Sequence, residues 1–497
     1  MSSEYILAID QGTSGTKTVI FDSKGSIIAK ASKELKSIYP QVGFVEQDPI
    51  EIYENVLGSL KLCIEKFRAG GCNDIEKITV CGISNQRETF VLWDRDGTPL
   101  TNAVVWQCKR SIKICKTLSE SGIEDDIKKA TGLIIDPYFS GTKLLWLCQN
   151  DQSIKKAIDS EKALFGTVET WLLYKLTNGS SYFTDHTNAS RTLFFNINNL
   201  SWDKSLLEKF NLKSLVLPEV NPSSCMFGES NFNGIFNHNV KITAAIGDSH
   251  AAAFGEKCFE PGTAKATLGT GCSILLNTGE KRITSNTGMV TTICFSLKEK
   301  VYYALEGIIV TCGATMNWIK NQLELLDDVK KAEELALSVK DNNGVYFVPA
   351  FSGLGAPHWK MDLKAAIMGL TFGCDKKHVI RAALESIPYQ IKDVITAMET
   401  DSEIRLKKLN VDGGITSNIF IMQFLSDLLN TNVDNIGIEE VSALGAAYLA
   451  GLESGIFKGL DHIAGLNYNH NEFIPNSKNN TTKIYYEKWQ STIKTLV

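Results

Sequence analysis

Apolar residues run unbroken over Tyr5–Ile9, pause at Asp10–Thr16, and resume over Thr18–Phe21. Short continuous apolar runs bounded by glycine- and hydroxyl-rich turns predict strands buried on both faces. The same reading gives a hairpin turn at Asp22–Gly25 and a third strand over Ser26–Ala31. Further strands are expected at Ile78–Ile83, Phe90–Trp93 and Ile242–Ile246, and one from Leu409 ends on Gly413 and Gly414. Between Ala264 and Leu276 the pattern predicts short strands separated by glycine turns. From Pro49 to Phe67 the period changes: Ile52, Val56, Leu60, Cys63, Ile64 and Phe67 recur at the spacing of one helix face. A second helical pattern covers Asn418–Leu429, and the small-residue stretch Ser442–Gly451 predicts a tightly packed buried helix. Asn221–Asn239, rich in Asn, Ser, Gly and Phe, reads as a loop region. Trp146, Trp171 and Trp202 are expected in the core.

Three times a strand delivers an aspartate beside glycine: Ile9–Gly12, Ile246–Asp248 and Val411–Gly414. The repetition implies two related α/β halves facing one another, residues 1–253 and 254–497, with the boundary near 253–262. A chain of 497 residues has room for such halves, each with its own core. Lys and Arg number 51 against 56 Asp and Glu, so the net charge of −5 shows no basic surplus for nucleic acid. No apolar run reaches the ~18–20 residues of a membrane span, and Met1–Glu4 opens no secretory pattern. The 12 cysteines lack any C-x-x-C pair and read as reduced thiols, which points to the cytoplasm.

The turn Gly12–Lys17 has the makings of a phosphate cradle, or of an ordinary glycine hairpin. Its small residues leave backbone N–H groups free to face an anion, Thr13 and Ser14 add hydroxyls, and Lys17 adds charge. It joins two strands and lacks the Walker A spacing, so neither that loop nor the dinucleotide fingerprint applies. Leu268–Gly271 and Asp412–Gly414 are turns of the same type, and three together favour a nucleotide site. Asp10, ending a buried strand beside the first turn, suits Mg²⁺ or caps the turn itself. Asn85–Thr89 sets five polar residues at a strand end, where α/β proteins present ligand contacts. There Arg87 and Glu88 could grip a polyhydroxylated molecule, or form a surface ion pair. Asp248 could act as general base toward an alcohol, or cap the helix that follows. His250 reads as structural.

Ten segments together resemble one family. They are Asp10–Lys17, Ser84–Thr89, Val104–Arg110, Asp136–Leu147, Asp185–Thr192, Ile246–Ala252, Leu268–Ser273, Phe347–Trp359, Val411–Asn418 and Ala443–Leu452. In type and order they are similar to the FGGY carbohydrate kinases, and within them to the glycerol-phosphorylating members. Both family signatures are readable, at Tyr138–Asn150 and Ala365–Glu385. The resemblance implies two actin-like (ribonuclease H-like) ATPase domains flanking a cleft, ATP and Mg²⁺, a cytoplasmic location and a homodimer or homotetramer. It implies an acceptor site of Arg87, Glu88, Tyr138, Asp248 and Ser249, with Trp106 as apolar wall and Asp248 as base. It further implies ATP contacts from Thr13, Ser14, Lys17, Thr270, Gly313, Asn317, Gly414 and Asn418, and metal at Asp10. Two positions depart from the glycerol-specific pattern: Ser249 stands where those members carry Gln, and Ser273 where they carry Phe. Both changes are expected to enlarge the pocket toward a tetritol, pentitol or ketose. An actin- or chaperone-like ATPase is the reading from another class, though it leaves Arg87, Glu88, Tyr138 and Asp248 unexplained together.

Overall fold

The computed structural model describes residues 4–438, 440–467, 470–476 and 481–496. Its frame is two mixed sheets. The first has the order Ser224–Ser230, Val240–Gly247, Ile78–Asn85, Tyr5–Gln11, Gly15–Asp22, Ile27–Glu34. The second has the order Val290–Leu297, Lys300–Ile309, Cys272–Gly279, Thr263–Leu268, Lys408–Asp412, Val433–Asn435, Asn471–Phe473. In each, a leading strand pairs antiparallel with the next in sequence and parallel with a strand far downstream. That strand in turn pairs parallel with a further one, and an antiparallel strand closes the edge. A further strand, Ile27–Glu34 in one sheet and Lys300–Ile309 in the other, adds an antiparallel ladder. Five ladders thus recur in the same sequence of types, the plan expected of duplicated halves. Four short strands around Phe90–Trp93 form a separate sheet beside the first.

The unbroken apolar run of the first strand follows from burial on both faces. Leu7 and Ile9 enter a core with Ile52, Val56, Leu60 and Phe67 of helix Pro49–Ala69. Ile6 and Ala8 enter a different core, shared with Leu275, Phe295 and Ala304 of the second sheet. Between the sheets lie helices Asp248–Gly255 and Val441–Glu453, whose alanines and glycines allow close packing. The predicted small-residue helix is therefore buried, and it lies against the first sheet although it comes late in the chain. Helix Pro49–Ala69 starts where Asp48 accepts the Ile50 N–H and Pro49 takes the first turn.

Two expectations need correction. Strand Ser224–Ser230 occupies part of the expected loop Asn221–Asn239, pairing antiparallel with Val240–Gly247 across a register shift between Ser224 and Gly228. Tertiary pairing supplies the hydrogen bonds that composition does not announce. Of the three tryptophans, Trp171 is fully buried, whereas Trp146 and Trp202 are only half-buried at the edge of a core. Polar neighbours take up their outer faces: Arg110 lies over the Trp146 ring, and Trp202 Nε1 donates to Pro218 O.

Candidate active site

Three strands of the first sheet end at one cleft. The strand Tyr5–Gln11 brings Asp10, the strand Ile78–Asn85 leads into Arg87 and Glu88, and Val240–Gly247 delivers Asp248 at the start of its helix. Glu88 takes a left-handed backbone, φ +61°, a strained conformation at a strand end that turns its carboxylate inward. Gly247 is required beside it, because a Cβ there would lie 2.6 Å from Arg87 Cγ.

A cavity of about 260 Å³ is lined by Arg87, Glu88, Trp106, Tyr138, Asp248 and Ser249, so all six candidate acceptor residues meet in one place. Thr13, Ala252, Lys265, Thr267, Ser273, Asp412, Val441 and Ser442 complete its wall. Far from a solvated turn, Asn85–Thr89 is at most 5% exposed throughout. Arg87 Nε lies 3.4 Å from Asp248 Oδ1, and Arg87 Nη1 has no partner within the protein. An unpaired buried guanidinium N–H is a donor held ready for a ligand oxygen. Trp106 is oriented by its indole N–H donating to Thr13 Oγ1 at 2.9 Å, and packs edge-on to Tyr138 at 5.4 Å. Burial raises the Tyr138 phenol, which keeps it a neutral donor. His250 is fully buried with Nε2 at 3.3 Å from Thr292 Oγ1, and burial holds the ring neutral.

The two divergent serines are neighbours in the wall of this cavity, Oγ to Oγ at 3.4 Å. Lys265 Nζ donates to Ser249 Oγ at 2.9 Å. Ser273 Oγ donates to Glu306 Oε1 at 3.4 Å. In place of an amide and an aromatic face, the wall is small and polar.

A second cavity of about 720 Å³ is lined by Thr270, Gly313, Asn317, Gly414 and Asn418, five of the candidate nucleotide residues. A chamber of about 610 Å³ shares Trp106, Tyr138 and Ser273 with the first cavity and Gly269 and Thr270 with the second. The three adjoin along these shared walls. Thr13 opens on the acceptor side, and Ser14 is exposed and lines none of the three. Lys17 continues the strand Gly15–Asp22 opposite Asp10 and pairs with Glu440 at 2.7 Å. The strand starts earlier than the glycine spacing implies, and its pairing puts Lys17 on the same face as Asp10, whose charge it offsets.

Asp10 accepts from Ser84 Oγ at 3.0 Å. Its carboxyl is pushed up to about 6, first by burial and then by the negative charge of Asp248, with Ser84 opposing. Two carboxylates and a hydroxyl form an all-oxygen set whose repulsion a divalent cation would relieve. Among the described residues no cluster of three or more His, Cys, Asp or Glu could hold a metal alone. A cation here would complete its shell with water and phosphate, which is the habit of Mg²⁺. The residues fit that ion.

Arg191, Glu306 and Lys265 escape a reading of the sequence for site residues. All three are at most 1% exposed, and all touch the acceptor side. Glu306 had a signal: a lone carboxylate within the otherwise apolar Ala304–Val310 of a strand must find buried partners.

The model of the FGGY family of carbohydrate kinases, N-terminal domain, matches residues 5–255, and that of the C-terminal domain matches residues 264–454. A glycerol kinase of Thermoanaerobacter sp. (strain X514) is 46% identical over 494 residues, 99% of this chain and 98% of its own. Glycerol kinase 2 of Thermotoga maritima is 45% identical over 491 residues, with 99% and 98% covered. The crystal structure of Plasmodium falciparum glycerol kinase with ADP superposes with a TM-score of 0.94 at 38% identity, covering 100% of this chain and 98% of that one. Gluconate kinase from Lactobacillus acidophilus, 21% identical with a TM-score of 0.89, shares the fold over 99% of this chain and 98% of its own. On sequence and architecture alike, this chain belongs to the FGGY family of carbohydrate kinases.

Proposed function

We propose that this carbohydrate kinase transfers the γ-phosphoryl group of ATP to a primary hydroxyl of glycerol, giving sn-glycerol 3-phosphate and ADP. The observation that carries the reading is the convergence of Arg87, Glu88, Trp106, Tyr138 and Asp248 on one cavity that shares a wall with a glycine-lined chamber. Full-length likeness to proteins named glycerol kinase supports it.

Arg87 and Tyr138 donate to acceptor hydroxyls and Glu88 accepts from them, while the Trp106 ring covers the carbon chain. Asp248, 39% exposed at the cleft, takes the proton as the hydroxyl oxygen attacks phosphorus. Its own N-terminal turn orients the carboxylate through the Ser249 N–H at 2.7 Å. Backbone at Thr270 and Gly414 faces the phosphates, with Gly313, Asn317 and Asn418 around the nucleotide. Asp10 is the residue that would hold Mg²⁺, whose chemistry there is to neutralise charge on phosphate oxygens. Positioning and electrostatics carry such transfers, and closing the cleft excludes water from the phosphoryl group. For Lys17 to reach a phosphate it must leave Glu440.

The polar opening at Ser249 and Ser273 favours a second reading, an acceptor longer than glycerol that extends past Ser273. One assay separates the two: initial rates of ADP formation from MgATP with glycerol, dihydroxyacetone, erythritol, threitol, xylitol and pentuloses against a blank. Highest kcat/KM on glycerol supports the first. Turnover of a tetritol, pentitol or pentulose with glycerol at the blank replaces it with the second.

A further inference from the structure

We propose that Arg191 and Glu306 form a buried charged frame that positions Arg87 and Glu88 on the acceptor polyol, with Arg191 as its hub. The proposal rests on the reading of Arg87 and Glu88 as acceptor-binding residues.

Four charged side chains meet beneath the acceptor cavity, each at most 5% exposed: Arg87, Glu88, Arg191 and Glu306. Only Arg87 and Glu88 line the cavity. Arg191 Nε donates to Glu88 Oε1 at 2.5 Å. Its Nη1 makes a charge contact with Glu306 Oε2 at 2.6 Å, outside hydrogen-bond alignment. Glu306 Oε1 then lies 2.9 Å from Arg87 Nη2, and Arg87 Nε reaches Asp248. The signs alternate along this chain, from Glu88 through Arg191, Glu306 and Arg87 to Asp248. The Arg191 guanidinium also lies 5.7 Å from the Tyr138 ring and 5.0 Å from that of Phe139. One residue that never reaches the cavity thus contacts two of its walls directly and a third through Glu306.

A buried alternating chain of this kind is a poor device for stability, because each ion loses its hydration and packed apolar side chains serve as well or better. What it supplies is orientation. Without Glu306, two buried guanidinium groups would repel one another. Without Arg191, Glu88 would lose the donor that fixes its rotamer. Burial raises the Glu88 carboxyl while Arg191 and Arg87 oppose the rise, so the pair also preserves it as an acceptor. A lysine at 191 would keep the charge but lose the planar fork that serves Glu88 and Glu306 together. Glu306 stands on the second sheet, whereas Arg87, Glu88 and Arg191 belong to segments of the first half. Each half therefore helps to place the acceptor.

The test is steady-state kinetics of the full chain with glycerol and MgATP, combined with calorimetric ADP binding and thermal unfolding of each variant. Arg87→Ala serves as the control on the underlying reading. Arg191→Lys and Glu306→Gln are expected to raise the glycerol KM by about tenfold or more, with ADP affinity unchanged. A purely structural role would lower the melting temperature or active fraction and leave both KM values in place, and that result overturns the proposal. It is equally overturned if neither variant accumulates as folded protein, since the frame is then a stability element. An unchanged acceptor KM in Arg87→Ala removes the acceptor reading itself; if the wild type turns over only a longer polyol, that polyol takes the place of glycerol in every measurement.

Discussion

The two sheets share one plan and present opposite chemistry at the same strand ends. In the first half, the turn after the leading strand closes with Gly12 N–H donating to Gly15 O, and in the second Gly269 N–H donates to Gly271 O. The next parallel strand leads to buried Arg87 and Glu88 in one half and to exposed Gly413 and Gly414 in the other. Side-chain charge, desolvated and paired, lines a pocket of about 260 Å³ in the first. Glycine backbone set in a largely apolar surface lines one of about 720 Å³ in the second. A neutral polyol offers only hydroxyls, so its recognition needs strong, oriented donors and acceptors. A polyphosphate brings its own charge and is met by backbone N–H groups that cost no side-chain entropy. The lesson is that topology sets where ligands bind, and the residue type at the strand ends sets which.

That contrast can be broken most severely at its centre. Asp248→Asn should lower kcat by ~10²–10⁴ with the fold retained, as checked by single-turnover phosphoryl transfer. Near wild-type turnover would take Asp248 out of the reaction. Next in size is a crossed pair. Arg87→Ala should raise the acceptor KM by about 10²-fold and spare that of ATP. Gly413→Ala should do the reverse, because φ is +99° and a Cβ would lie 2.4 Å from Leu268 O. If either variant moved the other substrate's KM instead, the division of labour between the halves would be wrong. Ser273 lines both the acceptor cavity and its neighbouring chamber, so Ser273→Phe sets an aromatic ring between them. It should cut kcat/KM for any longer polyol by about tenfold relative to glycerol, and an unchanged ratio would mean that acceptors do not extend past this point.

The smallest effect concerns stability. Glu169, fully buried in the first half, is pushed up to about 7, first by burial and then by the charge of Asp185. The folded chain keeps a proton that the unfolded chain releases above pH 4.5, the ordinary value for the group. Stability is therefore greatest below that window and falls as pH rises through it, by up to about 3 kcal/mol from this group. Denaturation midpoints between pH 5 and 8 should fall less steeply in Glu169→Gln, and an unaltered slope would assign the titration elsewhere.

The leading and central parallel strands of the two sheets were legible because burial on both faces leaves an unbroken apolar run, whereas Val290–Leu297 and Lys300–Ile309 were not singled out. Helix Pro49–Ala69 was legible for a local reason too, in its apolar stripe. Strand Ser224–Ser230 was not, since an edge strand with shifted register takes its order from Val240–Gly247. Among site residues, those at strand ends beside glycine stood out. Arg191 did not, because its partners Glu88 and Glu306 lie 103 and 115 positions away, and no local pattern marks a residue that acts through others.

The sequence by itself determined the leading strands, the glycine turns and the residue types at the strand ends, because period and turn chemistry are short-range physics. It also carried the family, through ten segments in order. Only the tertiary structure decided which strand ends share a cavity, that Ser249 and Ser273 join Lys265 and Glu306 in one polar wall, and that Lys17 rests on Glu440. Those outcomes depend on sheet order and on the need of every buried charge to find a partner, and both are settled between segments far apart in the chain.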